Sequence, residues 1–493
     1  MAKLFLPAVL LLFTIQLSAK DYMVSDFGAK ADGITLNTRT IQKAIDYISE
    51  NGGGRLVFEA GNYVTGSIYL KSNVTLHLKY GATLLGSTNP FDYVKDPKVK
   101  WMSMIFAINQ ENIGITGKGT INGRGFTTAN NMVSYIHRGI YKDDLKLDRP
   151  NETNRPENIY FRECTNVTIT DITLRDPASW NQTYDQCKKL YVDNIYVDSK
   201  SYWNNDGIDV VDCDGVVLKN SYFDAADDVL CFKSHDPNSI CQNVVVDNCV
   251  GRSSANGLKF GTVSRGGFRN FKVTNLTIFD TFRSAITFAA VDGGVIENIE
   301  VDSVRSINTG NVIFLRIGDR WSQGKQPSMK NIRISNVYAE VPFGKPDVGY
   351  NYEGPIEDNP RNISPASIVG LPDHKIQDVK LKNIKIVYPG AGNALYAYRG
   401  TSPAELDSIP EMRKKYPEFS QWKELPAWGF YIRHVEGLEF ENVTLTAEKK
   451  DYRPAIVMDD VKGGSLKDVK FNEPDNNGKQ EIIQHNTSGI VVE

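Results

Sequence analysis

The chain has no block of one charge. Its 56 Lys and Arg nearly balance 59 Asp and Glu, for a net charge of −3. Without a basic stripe or an acidic tail, nucleic-acid binding has no footprint here. Low-complexity tracts are missing too. Six cysteines and six histidines in 493 residues fall at no spacing that suits a metal site, and no Ser-His-Asp context stands out. Neither a metal nor another cofactor is therefore expected. After residue 19 no stretch is long and apolar enough to span a bilayer. Between the recurring strand patterns described below there are no helical ones, which excludes βαβ units.

The N-terminus, MAKLFLPAVLLLFTIQLSAK, places one Lys before an apolar run of about a dozen residues and ends in small residues. Residues 1–19 read as a secretory signal peptide, cut after Ala19. No Cys follows to carry a lipid. A periplasmic or extracellular protein is expected, as a single domain over 20–493 and as a monomer.

The dominant signal is internal repetition. The pattern is Asn, apolar, any, apolar, any, Asn or Asp, apolar. It begins at Asn112, Asn166, Asn243, Asn270, Asn298 and Asn331, with degenerate copies at Asn73, Lys189, Gly215, Asp378, Gly437 and Gly463. From Asn166 to Asn331 successive copies lie 23 to 33 residues apart. Each alternates apolar and polar residues, as a half-buried strand does. One such strand cannot bury its face alone, but strands recurring once per coil can stack at roughly 4.8 Å. The expected fold is all-β: a right-handed parallel β-helix. Asn at a fixed corner tolerates the left-handed conformation and can form a side-chain amide ladder.

The cysteines check the register. Cys164, Cys187, Cys213 and Cys241 each stand two residues before the Asn position, in a column continued by Phe268, Ile296 and Met329. The column must be apolar and inward-facing. Stacked Cα atoms at coil spacing are within disulfide reach, yet free core thiols are the ordinary expectation. At the start, Thr38–Glu50 is helical, with Ile41, Ala44, Ile45 and Ile48 on one face and Gly52-Gly53-Gly54 as the stop. It would cap the open end of the solenoid. Long insertions near 124–160, 340–375 and 389–433 are expected to gather along one face and wall a groove.

The chemistry concentrates between Tyr202 and Gly261. Asn204-Asn205-Asp206-Gly207 and Ala226-Asp227-Asp228-Val229 each precede an apolar run. Aligned without gaps, successive coils give the column Asp206, Asp228, Asn256, Ser284, with Asp227 alongside. A lone Asp pair at a β-helix turn is ordinary. Three carboxylates in register beside Tyr202 and Trp203 point to acid–base catalysis, because crowding raises at least one pKa.

The segment 202–234 resembles glycoside hydrolase family 28, the polygalacturonase family. The family's Asn-Thr-Asp-Gly-hydrophobic-Asp reads here Asn204-Asn205-Asp206-Gly207-Ile208-Asp209. Its Asp-Asp motif and the strand ending in Lys-Ser are Asp227-Asp228 through Lys233-Ser234. DFGAKADG and GGGRLVFEAGNY are similar to the start of bacterial members, and the resemblance covers most of residues 21–340. It implies an inverting hydrolase of pectin-related, galacturonate-containing chains, in which Asp227 is the general acid and Asp206 and Asp228 hold and deprotonate water. The chain departs from the family at two places. Ser254-Ala255-Asn256-Gly257-Leu258 stands where Gly-His-Gly belongs, and Ile286-Thr287-Phe288 where Arg-Ile-Lys belongs. The family's charge-assisted clamp on the substrate carboxylate is thus missing. Candidate sugar-binding residues are Asn204, Asn256, Lys259, Arg283, Lys233, Trp203 and His235. Two other readings stay open: a uronate lyase or epimerase, and a non-catalytic glycan-binding solenoid.

Overall fold

The computed structural model describes residues 20–143, 148–347, 349–351, 364–476 and 478–493. The expected leader at 1–19 lies outside them. The regular structure of the described chain is mostly β-strand, and every pairing between its strands is parallel. The strands form three stacks that follow one another in each coil. One runs through Ile208–Val211, Leu230–Ser234 and Leu258–Ser264. A second runs through Val74–Leu78, Glu111–Thr116, Thr165–Thr170, Lys188–Asp193 and Asp214–Lys219. The third contains Thr173–Arg175, Tyr196–Ser199 and Tyr222–Ala225. Later coils fuse these pieces into long bent strands such as Gly267–Ala290.

The corners obey the Asn rule. Asn112, Asn166, Asn243, Asn270, Asn298 and Asn331 all have φ between +53° and +58°. Each of these except Asn243 donates its amide to the Asn of the coil before: Asn112 to Asn73 (2.9 Å), Asn166 to Asn112 (2.8 Å), Asn270 to Asn243 (3.2 Å), Asn298 to Asn270 (3.1 Å) and Asn331 to Asn298 (2.7 Å). Lys189 and Gly215 keep the positive φ but interrupt the ladder. The Asn or Asp five residues on builds another ladder at the next corner, with Asn248 bonded to Asn220 (2.8 Å) and Asn275 to Asp247 (2.7 Å).

Inside, Val210, Phe232, Phe260, Phe288 and Leu315 form one column. Phe260 packs 4.4 Å from both Phe271 and Phe288. Burying each such ring contributes about 1.5–3 kcal/mol. One continuous core extends from Val24 to Leu466. The cysteine column is register-paired onward from Cys241 to Phe268, Ile296 and Met329, and all six thiols are free and buried.

Helix α1 (Thr38–Glu50) buries Ile41, Ala44, Ile45 and Ile48 against the first coils. Gln42 acts as a surrogate strand: its side chain donates to Tyr69 O (3.0 Å) and accepts from Tyr69 N (2.7 Å). This satisfies edge groups that would otherwise be open. Gly53 stops the helix at φ +88°, where a Cβ would sit 2.5 Å from the Asn73 carbonyl oxygen.

The expected absence of helix between copies needs correction: short helices occupy Ala394–Ala397 and Pro403–Asp407 in the third insertion, and a longer one lies in the first. Helix α2 (Gly125–His137) lies in the first insertion and buries Thr128, Ala129, Met132 and Ile136. It forms because those apolar positions recur at three- and four-residue spacing. It does not make a βαβ unit, since it stands outside the coil and packs by Pro90–Asp92. Residues 348 and 352–363 of the second insertion lie outside the described residues.

An interior rung of the Asn ladder is worth two amide hydrogen bonds and a left-handed corner. Asn298→Ala should destabilise the fold by about 2 kcal/mol, read by urea unfolding. Asn298→Gly should recover part of that loss, because glycine removes only the strain. Equal loss in both variants would show that conformation contributes nothing at the corner.

Candidate active site

The carboxylates stand at the mouth of the first stack, where each strand is entered. The register Ile208, Leu230, Leu258, Ile286 places Asp206, Asp228, Asn256 and Ser284 in one column. Gly207 N donates to Asp228 O at 2.8 Å and Gly257 N to Ser284 O at 2.9 Å, which locks that alignment. Ligand oxygens of Asp206 and Asp228 lie within 4.8 Å of each other. Asp227 precedes Asp228 on the same turn and remains partly exposed, whereas Asp206 and Asp228 are buried.

Two lysines divide the charge. Lys259 Nζ is 2.8 Å from Asp228 Oδ2, and Asn256 donates to Asp228 Oδ1 from its backbone N (3.1 Å) and its side chain (2.8 Å). Burial alone would raise the Asp228 pKa, but Lys259, Lys233 and these bonds outweigh it and hold the group at about 2. Lys233 bonds Asp209 and stands 3.3 Å from Asp206 Oδ2. Asp209 is nonetheless pushed up to about 6 by burial. Asp206 rises well above the usual carboxylate range, through burial first and then the Asp209 charge; its Oδ1 has no hydrogen-bond partner among the described residues. Asp227 is raised by burial and by the Asp228 charge. The cluster therefore contains one carboxylate whose pKa is held low beside others whose pKa values are raised.

Of the other candidates, Asn256 is fully buried, and its carbonyl oxygen accepts from Ser284 N (3.2 Å) and Thr287 Oγ1 (3.0 Å). Its side chain is thus taken up by Asp228, Ser284 and Thr287. Arg283 is buried and paired with Glu418 at 2.9 Å. Asn204 Oδ1 accepts from Arg149 (2.9 Å) and Arg155 (2.7 Å). The Arg149 guanidinium covers the Trp203 ring at 4.5 Å. His235 is partly exposed, one residue beyond the strand Leu230–Ser234, and burial together with Lys233 and Arg265 pushes its pKa down to about 4. It is therefore neutral near pH 7. Lys233, Lys259 and Arg283 each already meet a carboxylate.

Several site groups were not among the candidates. Asp209 is quoted in the motif, and its alternation with Ile208 and Val210 marks it as outward-facing. Glu157 lies on the strand Glu157–Arg162, which pairs with Gln182–Asp185, the strand beside Ile208–Val211. Burial drives its pKa well up. Trp180, which the sequence does offer with Trp203 as a ring for a sugar face, carries Lys233 Nζ 4.1 Å over its ring and packs on Trp101 at 4.5 Å. Tyr416, whose OH is 3.4 Å from Lys259 Nζ, and Glu418 arrive on the third insertion. That insertion packs Leu406, Phe419 and Trp422 onto Phe314, Val369 and Tyr431. Arg155, in the first insertion, donates to the Ala178 and Trp203 carbonyls, both at 2.6 Å. Tyr350, in the second, donates to Asp224 at 2.6 Å. Only Asp206, Asp228 and Cys231 group metal-type ligand atoms among the described residues. Lysine ammonium groups already cover them, with Lys233 Nζ 3.0 Å from Cys231 Sγ.

Fold and site together define a parallel-strand solenoid with an acid–base carboxylate cluster on one wall. Residues 55–337, more than half of the chain, match the sequence model of Glycosyl hydrolases family 28, and the chain belongs to that family. It is 29% identical over 249 residues to an exo-poly-alpha-D-galacturonosidase of Dickeya chrysanthemi, across 42% of this chain and 41% of that one. The chain spans less than two thirds of the length of the curated relatives it matches first. Among solved structures, a hyperthermoactive exopolygalacturonase from Thermotoga maritima aligns with a TM-score of 0.60 at 22% identity, over 75% of this chain and 87% of that one. The Yersinia enterocolitica family 28 exopolygalacturonase aligns with a TM-score of 0.57 at 20% identity, over 97% and 78%. These two likenesses support the fold.

A carboxylate serves as a base only when ionised, so if Asp228 has that role activity is lost as pH falls through its pKa. Removing the Lys259 charge raises that pKa. Lys259→Met should therefore move the acid limb of the kcat/KM profile upward by about one pH unit or more. An unmoved limb would exclude Lys259 as the group that keeps Asp228 ionised.

Proposed function

We propose that the protein is an exported glycoside hydrolase that cleaves O-glycosyl bonds of a pectin-related, galacturonate-containing chain with inversion at the anomeric carbon. The observation that carries this reading is the divided carboxylate cluster in a family 28 chain: Asp228 held at about 2 while Asp227 and Asp206 are raised. Asp227, partly exposed and favouring its proton, protonates the leaving oxygen. Asp228 takes the proton of the attacking water. Asp206, close to Asp228 and inclined to hold a proton itself, positions that water. Direct displacement by water balances the reaction: the proton given by Asp227 is matched by the one Asp228 accepts, and no covalent sugar–enzyme bond forms.

Substrate choice follows from the charges. Lys233, Lys259 and Arg283 are each engaged by Asp209, Asp228 and Glu418, and no Arg-Ile-Lys clamp replaces them. This favours a substituted pectic chain, or one with neutral sugars interspersed, over plain polygalacturonate. The apolar residues 5–17 support export to the periplasm or beyond. One core from Val24 to Leu466 supports a single right-handed β-helix domain, and a monomer is the proposed state.

A panel of pectic oligosaccharides, with the product anomer followed by NMR, tests the reaction. An inverted anomer is expected; a retained anomer, or an unsaturated product absorbing in the ultraviolet, would sink the mechanism. Asp227→Asn should lower kcat about 10²–10⁴-fold with little change in KM. As pH rises through the raised Asp227 pKa the acid is lost, so the alkaline limb of the wild-type profile should report it.

A further inference from the structure

The wall formed by the second stack carries a feature that the carboxylate site does not use. A cleft of about 810 Å³ crosses the outer face of Val74–Leu78, Glu111–Thr116 and Thr165–Thr170. Such a volume lies within the range of about 300–1,000 Å³ usual for ligand clefts. The carboxylates lie on a different stack, so the two surfaces are separate.

The cleft has a hydroxyl-rich floor and a basic, aromatic rim. Its floor includes Thr116, whose Oγ1 is 2.9 Å from His77 Nδ1. Burial and the nearby Arg55 charge lower the His77 pKa, so the ring is a neutral hydrogen-bonding partner. Tyr80 is 85% exposed at the rim, at the turn after Val74–Leu78. Lys118, exposed at the corresponding turn one coil on, forms no ion pair among the described residues. Arg55 and Lys79 stand beside it in exposed pairs with Asp21 and Glu59, which hold little energy and yield readily to a new anion. Asp171 is the single acidic lining residue among those described. With Asp21 and Glu59 counted, the three cations of the cleft are matched by three carboxylates, and Lys118 is the cation left without an ion pair among the described residues. An exposed phenol ring stacks on the apolar face of a sugar, threonine hydroxyls bond its hydroxyls, and the cations meet its carboxylates.

We propose that this cleft is a second, non-catalytic binding site for a uronate-bearing polysaccharide strand. It holds the protein on an extended polymer while the carboxylate cluster works elsewhere on the wall. The site itself stands apart from the catalytic reading; the choice of a uronate chain as its ligand rests on that reading.

Affinity electrophoresis of the full chain through gels containing polygalacturonate tests it, with Asp227→Asn in all samples so that the polymer persists. Tyr80→Ala and Lys118→Ala should each weaken retardation about threefold, and the double variant about tenfold. Gels containing neutral galactan should give no retardation. In an otherwise wild-type background the same two substitutions should leave Tm and turnover of a short pectic oligosaccharide unchanged. Retardation that persists in the double variant would overturn the site. Equal retardation by dextran sulfate, lost in the same variants, would overturn the uronate assignment. Absence of turnover by the wild type, with retardation still dependent on Lys118, would overturn the hydrolase reading and leave the site standing.

Discussion

Every coil of this solenoid must return to the point where the previous one passed, one strand spacing higher. That constraint rests on the corner asparagines. Each adopts a left-handed backbone that most residues avoid, and most bond the amide of the coil below. Because the corner repeats, inward positions stack on inward positions for the whole length of the chain. The phenylalanine column, the thiol column and the Asp206–Asp228 column all follow from the same register. A one-residue slip at a single corner would turn Asp209 inward and the phenylalanines outward.

The second constraint is electrostatic. Coil spacing forces carboxylates from neighbouring coils closer together than water would allow them. Burial then makes each reluctant to ionise. Lys259 and Asn256 resolve this for Asp228, and Lys233 partly for Asp209, while Asp206 and Asp227 are left raised. The difference among chemically identical side chains comes from the position of two ammonium groups, each one coil away from the carboxylate it serves. The same pairing occupies the cations that would otherwise meet an acidic substrate.

The insertions complete the surroundings without altering the wall. Arg155 from the first ties down the turn at Trp203 and Asn204. Tyr416 and Glu418 from the third reach Lys259 and Arg283. The third is itself anchored by Phe419 and Trp422 on outward-facing residues of the later coils. The surroundings of the cluster are thus shaped by segments distant in sequence that reach Lys259, Arg283 and Asn204.

Much of this was legible from the residues. Strand alternation, the corner asparagines, the cysteine column, α1 and the alignment of Asp206 with Asp228 are all local or nearest-coil properties, and a repeat writes such properties into the chain at a readable period. Helix α2 was missed because it sits inside an insertion, where no period continues. The pairing of Arg283 with Glu418, the use of Asn256 to support Asp228, and the burial of Glu157 were not legible. Each depends on what lies across the groove, and no spacing along the chain encodes that. The sequence by itself determined the coil, its register and which carboxylates meet, because stacking couples each residue only to its neighbours above and below. The tertiary structure alone decided which of those carboxylates keeps its charge and which cations remain open to a ligand, because long-range docking sets burial and counter-charge.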